Sequence, residues 1–124
     1  MDKFYIKGNV PSSKNSKVFT GKFLVNSKTV QKYLKTYGKQ WEDQELIQKF
    51  KLGCKEFPIK LHMKFIRDTK RRCDLVNLAQ YPLDLMVKNG WLPDDDYTHV
   101  IPVFEQTEID KNNAGLIFWI DDTA

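Results

Sequence analysis

Cysteine is nearly absent: Cys54 and Cys73 are the only two in 124 residues, and they lack CxxC spacing. A lone pair so placed does not build a zinc site, and a reducing compartment leaves it as two free thiols. Histidine is equally scarce, and His62 and His99 cannot supply a zinc ligand set. No apolar run approaches the roughly 18 residues that a membrane-crossing helix needs. The opening Met1 to Ile6 contains no apolar h-region, which predicts no signal peptide and an intracellular, cytoplasmic protein. Acidic residues are nearly missing from the first third, where residues 1–40 hold nine lysines against Asp2 alone. At this length there is no room for a second core, so residues 1–124 are expected to form a single domain.

What is present is a 41% hydrophobic chain with 13% aromatics, enough to bury a core without staples and too apolar for intrinsic disorder. The net charge of +4 hides a strong segregation. Residues 41–72 carry nine Lys or Arg against five acids, whereas residues 73–124 carry ten acids against Lys88 and Lys111. A basic half suited to polyanions is thus joined to an acidic half suited to cations, unless the two charges simply interleave on a solvated surface.

Phe4, Ile6 and Val10 alternate with polar residues and predict a first strand ending at Pro11-Ser12-Ser13. Val18 to Asn26 reads as a strand or a short hairpin about Gly21-Lys22. Ser27 is a natural N-cap for an amphipathic helix over residues 28–52, with a break expected near Gly38. Ile59, Leu61, Met63 and Phe65 alternate with Lys60, His62 and Lys64, a strand with one core face and one basic face. A second helix opens at Asp74 and ends near Asn89-Gly90, and Pro82 is expected to kink or divide it. Strands over Thr98 to Phe104 and Gly115 to Ile120 close the chain. This order predicts an α+β fold, a single-domain mixed β-sheet with two helices packed on one face.

Phosphodiester hydrolysis requires divalent metal, and hard cations of the Mg²⁺ kind take carboxylate oxygens from converging segments. Asp74, just after the basic run Lys70-Arg71-Arg72, and the Asp94-Asp95-Asp96 run are the candidates, and a kinked helix would return the second to the first. Each has an ordinary use as well: Asp74 as a helix cap, the triplet as a solvated turn. Three consecutive carboxylates nevertheless repel one another, and a cation relieves that cost.

From Arg71 to Asp95 the pattern R-R-x-D-x-x-N-L-x-Q-x-x-x-D-x-[LM]-x-K-x-G-W-x-x-D-D resembles the RusA family of Holliday junction resolvases. Pro11-Ser12-Ser13-Lys14-Asn15-Ser16 is similar to that family's early P-S-x-x-N segment. The resemblance implies a Mg²⁺-dependent endonuclease that binds and symmetrically cuts four-way DNA junctions in recombination and repair, working as a homodimer. By position, Asp74 and Asp95 match the family's catalytic carboxylates, with Asp94 beside Asp95. Asn77 matches the Asn of its D-N pair, and Asp84 matches a later helix Asp. Asp74, Asp95, Asp94 and Asn77 would then hold the metal, and Lys14, Lys17, Lys70, Arg71 and Arg72 would contact DNA. A phage or prophage origin is common in such families.

Two positions depart from the family pattern. Val76 stands where a second metal-binding Asp is found, and Val offers no oxygen; Gln80 stands where an important Lys is found. Two accounts follow. In a divergent enzyme, Asn77, Asp94 or Asp96 completes the metal shell and Lys70, Arg71, Arg72 or Lys14 supplies the missing charge. Otherwise the chain is a catalytically inactive relative that binds branched DNA through its Lys-rich half. Asp84, ten residues along a helix from Asp74, is roughly 15 Å away and reads as a solvated or dimer-facing acid. His62 and His99 are assigned to the surface, and Trp41, Trp91 and Trp119 to the core or a dimer contact.

Overall fold

In the computed structural model, which describes residues 2–13, 17–22 and 24–121, the expected α+β architecture is present. Strand β1 (Phe4–Lys7) buries Phe4 and Ile6 and exposes Tyr5 and Lys7, the alternation its sequence carries. The segment after it forms an antiparallel hairpin of β2 (Lys17–Phe19) and β3 (Leu24–Asn26). Gly21 in the hairpin loop has φ +97°, a conformation that side chains with a Cβ disfavour. Ser27 caps α1 (Lys28–Tyr37), its hydroxyl oxygen accepting the Val30 N–H at 3.3 Å.

The helical periodicity over 28–52 divides where the sequence suggested, so three α-helices stand where two were expected. A 3₁₀ turn (Gly38–Glu42) follows α1, and Asp43 then starts α2 (Gln44–Gly53), accepting from the Glu45 and Leu46 N–H groups at 3.0 and 3.3 Å. The fresh N-cap is the physical reason for the break: Asp43 satisfies donors that a continuous helix would have bonded internally.

Strand β4 (Ile59–Arg67) runs two residues beyond the expected end. Helix α3 (Leu75–Lys88) follows, then β5 (Val100–Phe104), a two-residue β6 (Glu108–Ile109) and β7 (Gly115–Ile120). The sheet order is β1-β7-β4-β5, with β6 also pairing β4. Strand β7 is antiparallel to both β1 and β4, whereas β5 and β6 are parallel to β4, which makes the sheet mixed. Ile59 pairs with Val100 and Ile66 with Glu108, a register that slips by one residue across the break between β5 and β6.

Contrary to expectation, Pro82 does not divide α3, which remains one 14-residue helix. Pro82 is buried with Leu78, Ala79, Leu83, Leu85 and Met86, and this packed face offsets the lost backbone hydrogen bond. The helix stops in a Schellman arrangement: Gly90, at φ +85°, donates to the Val87 carbonyl at 3.3 Å and Trp91 donates to that of Met86 at 2.8 Å.

The helices cover one face of the sheet. Phe4, Leu61, Met63, Phe65, Leu116 and Phe118 meet Trp41, Phe50 and Trp91 in one aromatic-rich core. Trp91 donates its indole N–H to the Trp41 carbonyl at 2.8 Å, and Trp41 donates to the Tyr33 hydroxyl at 3.0 Å, so the buried rings carry satisfied polar atoms. Burial pushes the Tyr33 hydroxyl up to about 12. Trp119 is not in this core: it lies half-buried on the open face, stacked on His62 at 5.1 Å.

Candidate nucleic-acid and metal-binding surface

The basic alternation of β4 ends at Arg67, and the chain then turns through Lys70, Arg71 and Arg72, all three exposed. A cavity of about 240 Å³ opens here, lined by these four cations together with Cys73 and Leu75. Arg67 was not singled out by the sequence reading, although it is the last residue on a strand with a basic face. Its guanidinium donates to the Val10 carbonyl, while its Nε is buried and, among the described residues, has no acceptor. Burial lowers its pKa from the ordinary arginine value, the mark of a cation partly withdrawn from water. Lys14, expected to contact DNA, lies outside the described residues. Lys17 starts the hairpin and donates to Asn26 Oδ1.

Asp74 occupies the N-cap position of α3 but its side chain accepts no capping hydrogen bond, so the ordinary structural use for this residue is not what holds it. One turn on, Asn77 Oδ1 lies 3.5 Å from the Ser13 hydroxyl, across 64 residues of sequence. The early Pro-Ser-Ser segment therefore sits against the first turn of α3. Val76 points to solvent at 65% exposure, on the surface where an oxygen ligand would be required. Gln80 donates its amide to Asp84 Oδ1 at 2.8 Å, one turn apart.

The three loop aspartates divide their roles. Asp96 is held locally: Oδ1 accepts from the Thr98 N–H at 3.0 Å and hydroxyl at 2.6 Å, and lies 2.8 Å from His99 Nδ1. The Thr98 hydroxyl first, and His99 next, hold the Asp96 carboxyl below the usual carboxylate range. Asp94 Oδ1 accepts the Asp95 N–H at 2.7 Å. Asp95 is the opposite case. Loss of water raises its pKa, and the negative charges of Asp84 and Asp94 raise it further. Asp84, read from the sequence as a remote acid, is thus a neighbour of Asp95 in space.

These placements follow from the direction of the chain. Arg67 at the end of β4 leads into Asp74, whereas Ile59 at its start donates to the His99 carbonyl at 2.9 Å, just past the Asp loop. The undivided α3 spans the distance between them, roughly 21 Å for 14 residues at 1.5 Å each. Asp74 and Asn77 mark one end of the helix, and Asp84, Asp94 and Asp95 the other. Pro82 leaves α3 undivided, so no break in the helix returns the loop to Asp74. Among the described residues, no three His, Cys, Asp or Glu side chains converge closely enough to hold a metal ion. The donors nonetheless suit a hard cation: every one is a carboxylate or amide oxygen, and the negative charges of Asp84 and Asp94, which add to the effect of lost water on Asp95, are a field such an ion relieves. They form two partial sets.

The open face of the sheet bears a separate cluster. His62 lies between Glu105 Oε1, 2.7 Å from Nδ1, and Asp121 Oδ2, 3.1 Å from Nε2, and these partners, Glu105 foremost, raise its pKa. The two carboxylates engage opposite ring nitrogens, so they do not converge on a common ion. Cys54 and Cys73 are free thiols, and no helix among the described residues is long and apolar enough to cross a membrane. The chain matches no protein-family model and no curated protein.

Proposed function

We propose that this protein is a Mg²⁺-dependent, structure-selective DNA endonuclease that resolves four-way junctions, as its resemblance to the RusA family implies. The observation that carries this reading is the meeting of Ser13 with Asn77. The two segments that bear the resemblance lie 64 residues apart in sequence, and in the fold they adjoin each other beside the basic end of β4. Lys70, Arg71 and Arg72 form a cationic wall there that suits the DNA backbone, and the Arg67 guanidinium adds a fourth positive charge to the lining.

Asp74, Asn77, Asp94 and Asp95 would hold Mg²⁺, which when bound supplies positive charge to the phosphate and activates a water nucleophile. Because Asp74 and the Asp94-Asp95 pair stand at opposite ends of α3, a single copy offers only half of this ligand set at either end. A homodimer supplies the rest. If two α3 helices run antiparallel about a two-fold axis, Asp74 of each copy stands beside Asp94 and Asp95 of the other, and two equivalent sites match the two scissile phosphates of a symmetric junction.

The test is cleavage of a synthetic four-way junction with and without Mg²⁺, using wild-type protein and Asp74→Asn. Wild-type protein should cut, and Asp74→Asn should bind the junction while cutting orders of magnitude more slowly. Unimpaired cutting by Asp74→Asn would remove Asp74 from the site. A second reading, a non-catalytic branched-DNA binder, draws support from exposed Val76 and from Gln80, whose amide is engaged by Asp84. Tight junction binding by wild-type protein without any Mg²⁺-dependent cutting would select it.

A further inference from the structure

We infer that the β2–β3 hairpin is a wedge that inserts apolar side chains among unstacked bases at the branch point of a nucleic acid. The inference rests on the proposed function and adds to it the feature that distinguishes a junction from a plain duplex. Each strand of the hairpin has only three residues, all exposed or half-buried, and among the described residues no strand of the main sheet pairs with it. Its register sets Phe19 opposite Leu24 and Val18 opposite Val25. Directly opposed residues share a face, so Phe19 and Leu24 project together near the tip at 66% and 70% exposure. An isolated two-stranded hairpin is marginal in water, and exposed Phe and Leu on it gain nothing from folding alone.

Its surroundings identify the occupant. Residues 3–41 contain nine lysines and no acid, and Lys17 and Lys22 lie on the hairpin itself, with Lys28 and Lys32 on the first turns of α1. An apolar tip with Lys22 beside it and Lys17, Lys28 and Lys32 at and beyond the base of its hairpin is poorly matched to a neutral protein surface and well matched to bases whose phosphates lie alongside. Position agrees as well. The hairpin is fed by the segment that reaches Asn77 through Ser13, and it leads through Ser27 into α1, whose Tyr33 ring meets Tyr81 of α3 at 6.2 Å. The described segments on either side of it, at Ser13 and in α1, both meet the helix that follows Asp74. Bases at the centre of a four-way junction are open to such insertion, whereas those of a continuous duplex must first be unstacked.

The experiment compares wild-type protein with Phe19→Thr/Leu24→Thr, which keeps strand propensity on an exposed hairpin and should leave the melting temperature unchanged. Binding is measured to a four-way junction carrying 2-aminopurine at the branch and to a linear duplex of the same sequence. Wild-type protein should prefer the junction and raise the 2-aminopurine fluorescence. The variant should lose roughly tenfold or more in junction affinity, the scale of one lost stacked base, with duplex affinity unchanged and the fluorescence rise abolished. Lys17→Gln/Lys22→Gln should instead weaken both substrates alike and flatten the salt dependence. A Thr variant that keeps the junction preference and the fluorescence rise overturns the wedge and leaves the endonuclease reading standing. A Thr variant that shifts from dimer to monomer on sedimentation also overturns it, making the occupant a second copy. Wild-type protein with no junction preference overturns both.

Discussion

The division of the carboxylates between the two ends of α3 makes a prediction about mixed dimers. Two oxygens on one Mg²⁺ each lie about 2.1 Å from it and so stand within about 4.2 Å of one another. Asp74 and Asp84 are ten residues apart on a helix that Pro82 leaves undivided, roughly 15 Å along its axis, and Asp95 lies in the field of Asp84. The shortfall is on the order of 10 Å, far beyond side-chain reach. Asp74→Asn and Asp95→Asn homodimers should each be inactive, since every site lacks one carboxylate. A dimer of one copy of each variant is different: one of its sites is doubly defective, while the other joins an intact Asp74 to an intact Asp95. Mixing equal amounts, with exchange, should restore about a quarter of the wild-type sites. The products should be nicked junctions rather than resolved ones, because only one strand of each is cut. Gel resolution of nicked and linear products from a junction labelled on two strands reads this directly. No recovery on mixing, with exchange confirmed by a tagged copy, would refute the two-copy site and require a rearranged α3 or a different ligand.

Two further outcomes test the frame that holds these residues. Tyr33→Phe leaves the buried Trp41 indole N–H without its acceptor, a loss of about 1–3 kcal/mol that should lower the melting temperature by roughly 4–12 °C; an unchanged melting temperature would remove this bond from the core's support. His62 gains carboxylate partners on folding, so its stabilisation is complete below its unfolded pKa of about 6.5 and is lost as pH rises through the elevated folded value. His62→Gln should therefore lower stability more at pH 5.5 than at pH 8.5 in urea titrations, and an equal loss at both would contradict the ion pairs.

Local signals in the sequence carried most of the fold. The period-two alternation from Ile59 to Phe65 has one physical solution, a strand with one dry face, and Ser27 and Gly38 punctuate the helices as their chemistry requires. What local signals cannot contain is the outcome of packing. Pro82 is a helix breaker by propensity, and its burial with the packed face of α3 is what lets the helix continue through it. Strand β6 is two residues long and exists because β4 offers an edge at Ile66 and Arg67. The site shows the same division. Chemistry pointed to Asp74 and the Asp94-Asp96 run and the resemblance to Asp95 within it, but their separation depends on the crossover from β4 through α3 to β5, which fixes the helix ends at opposite ends of the strand. The neighbourhood of Asp84 and Asp95 and the buried donor of Arg67 are consequences of that crossover, invisible to periodicity.

The segregated charge of the chain gains a physical purpose from the same geometry. Lys70, Arg71 and Arg72 precede α3, and Asp84, Asp94 and Asp95 gather at its far end, so the helix joins a cationic end to an anionic one. Two such helices side by side and parallel would set like charges together at both ends. Antiparallel, they set the cations of each copy against the anions of the other, twice, in the self-complementary pattern of a closed two-fold interface. The arrangement that would complete a hard-cation site is therefore also the one that relieves the repulsion at Asp95. It leaves the lysines of the first forty residues, which oppose no acid nearby in sequence, as the part of the charge that the proposed DNA partner would neutralise.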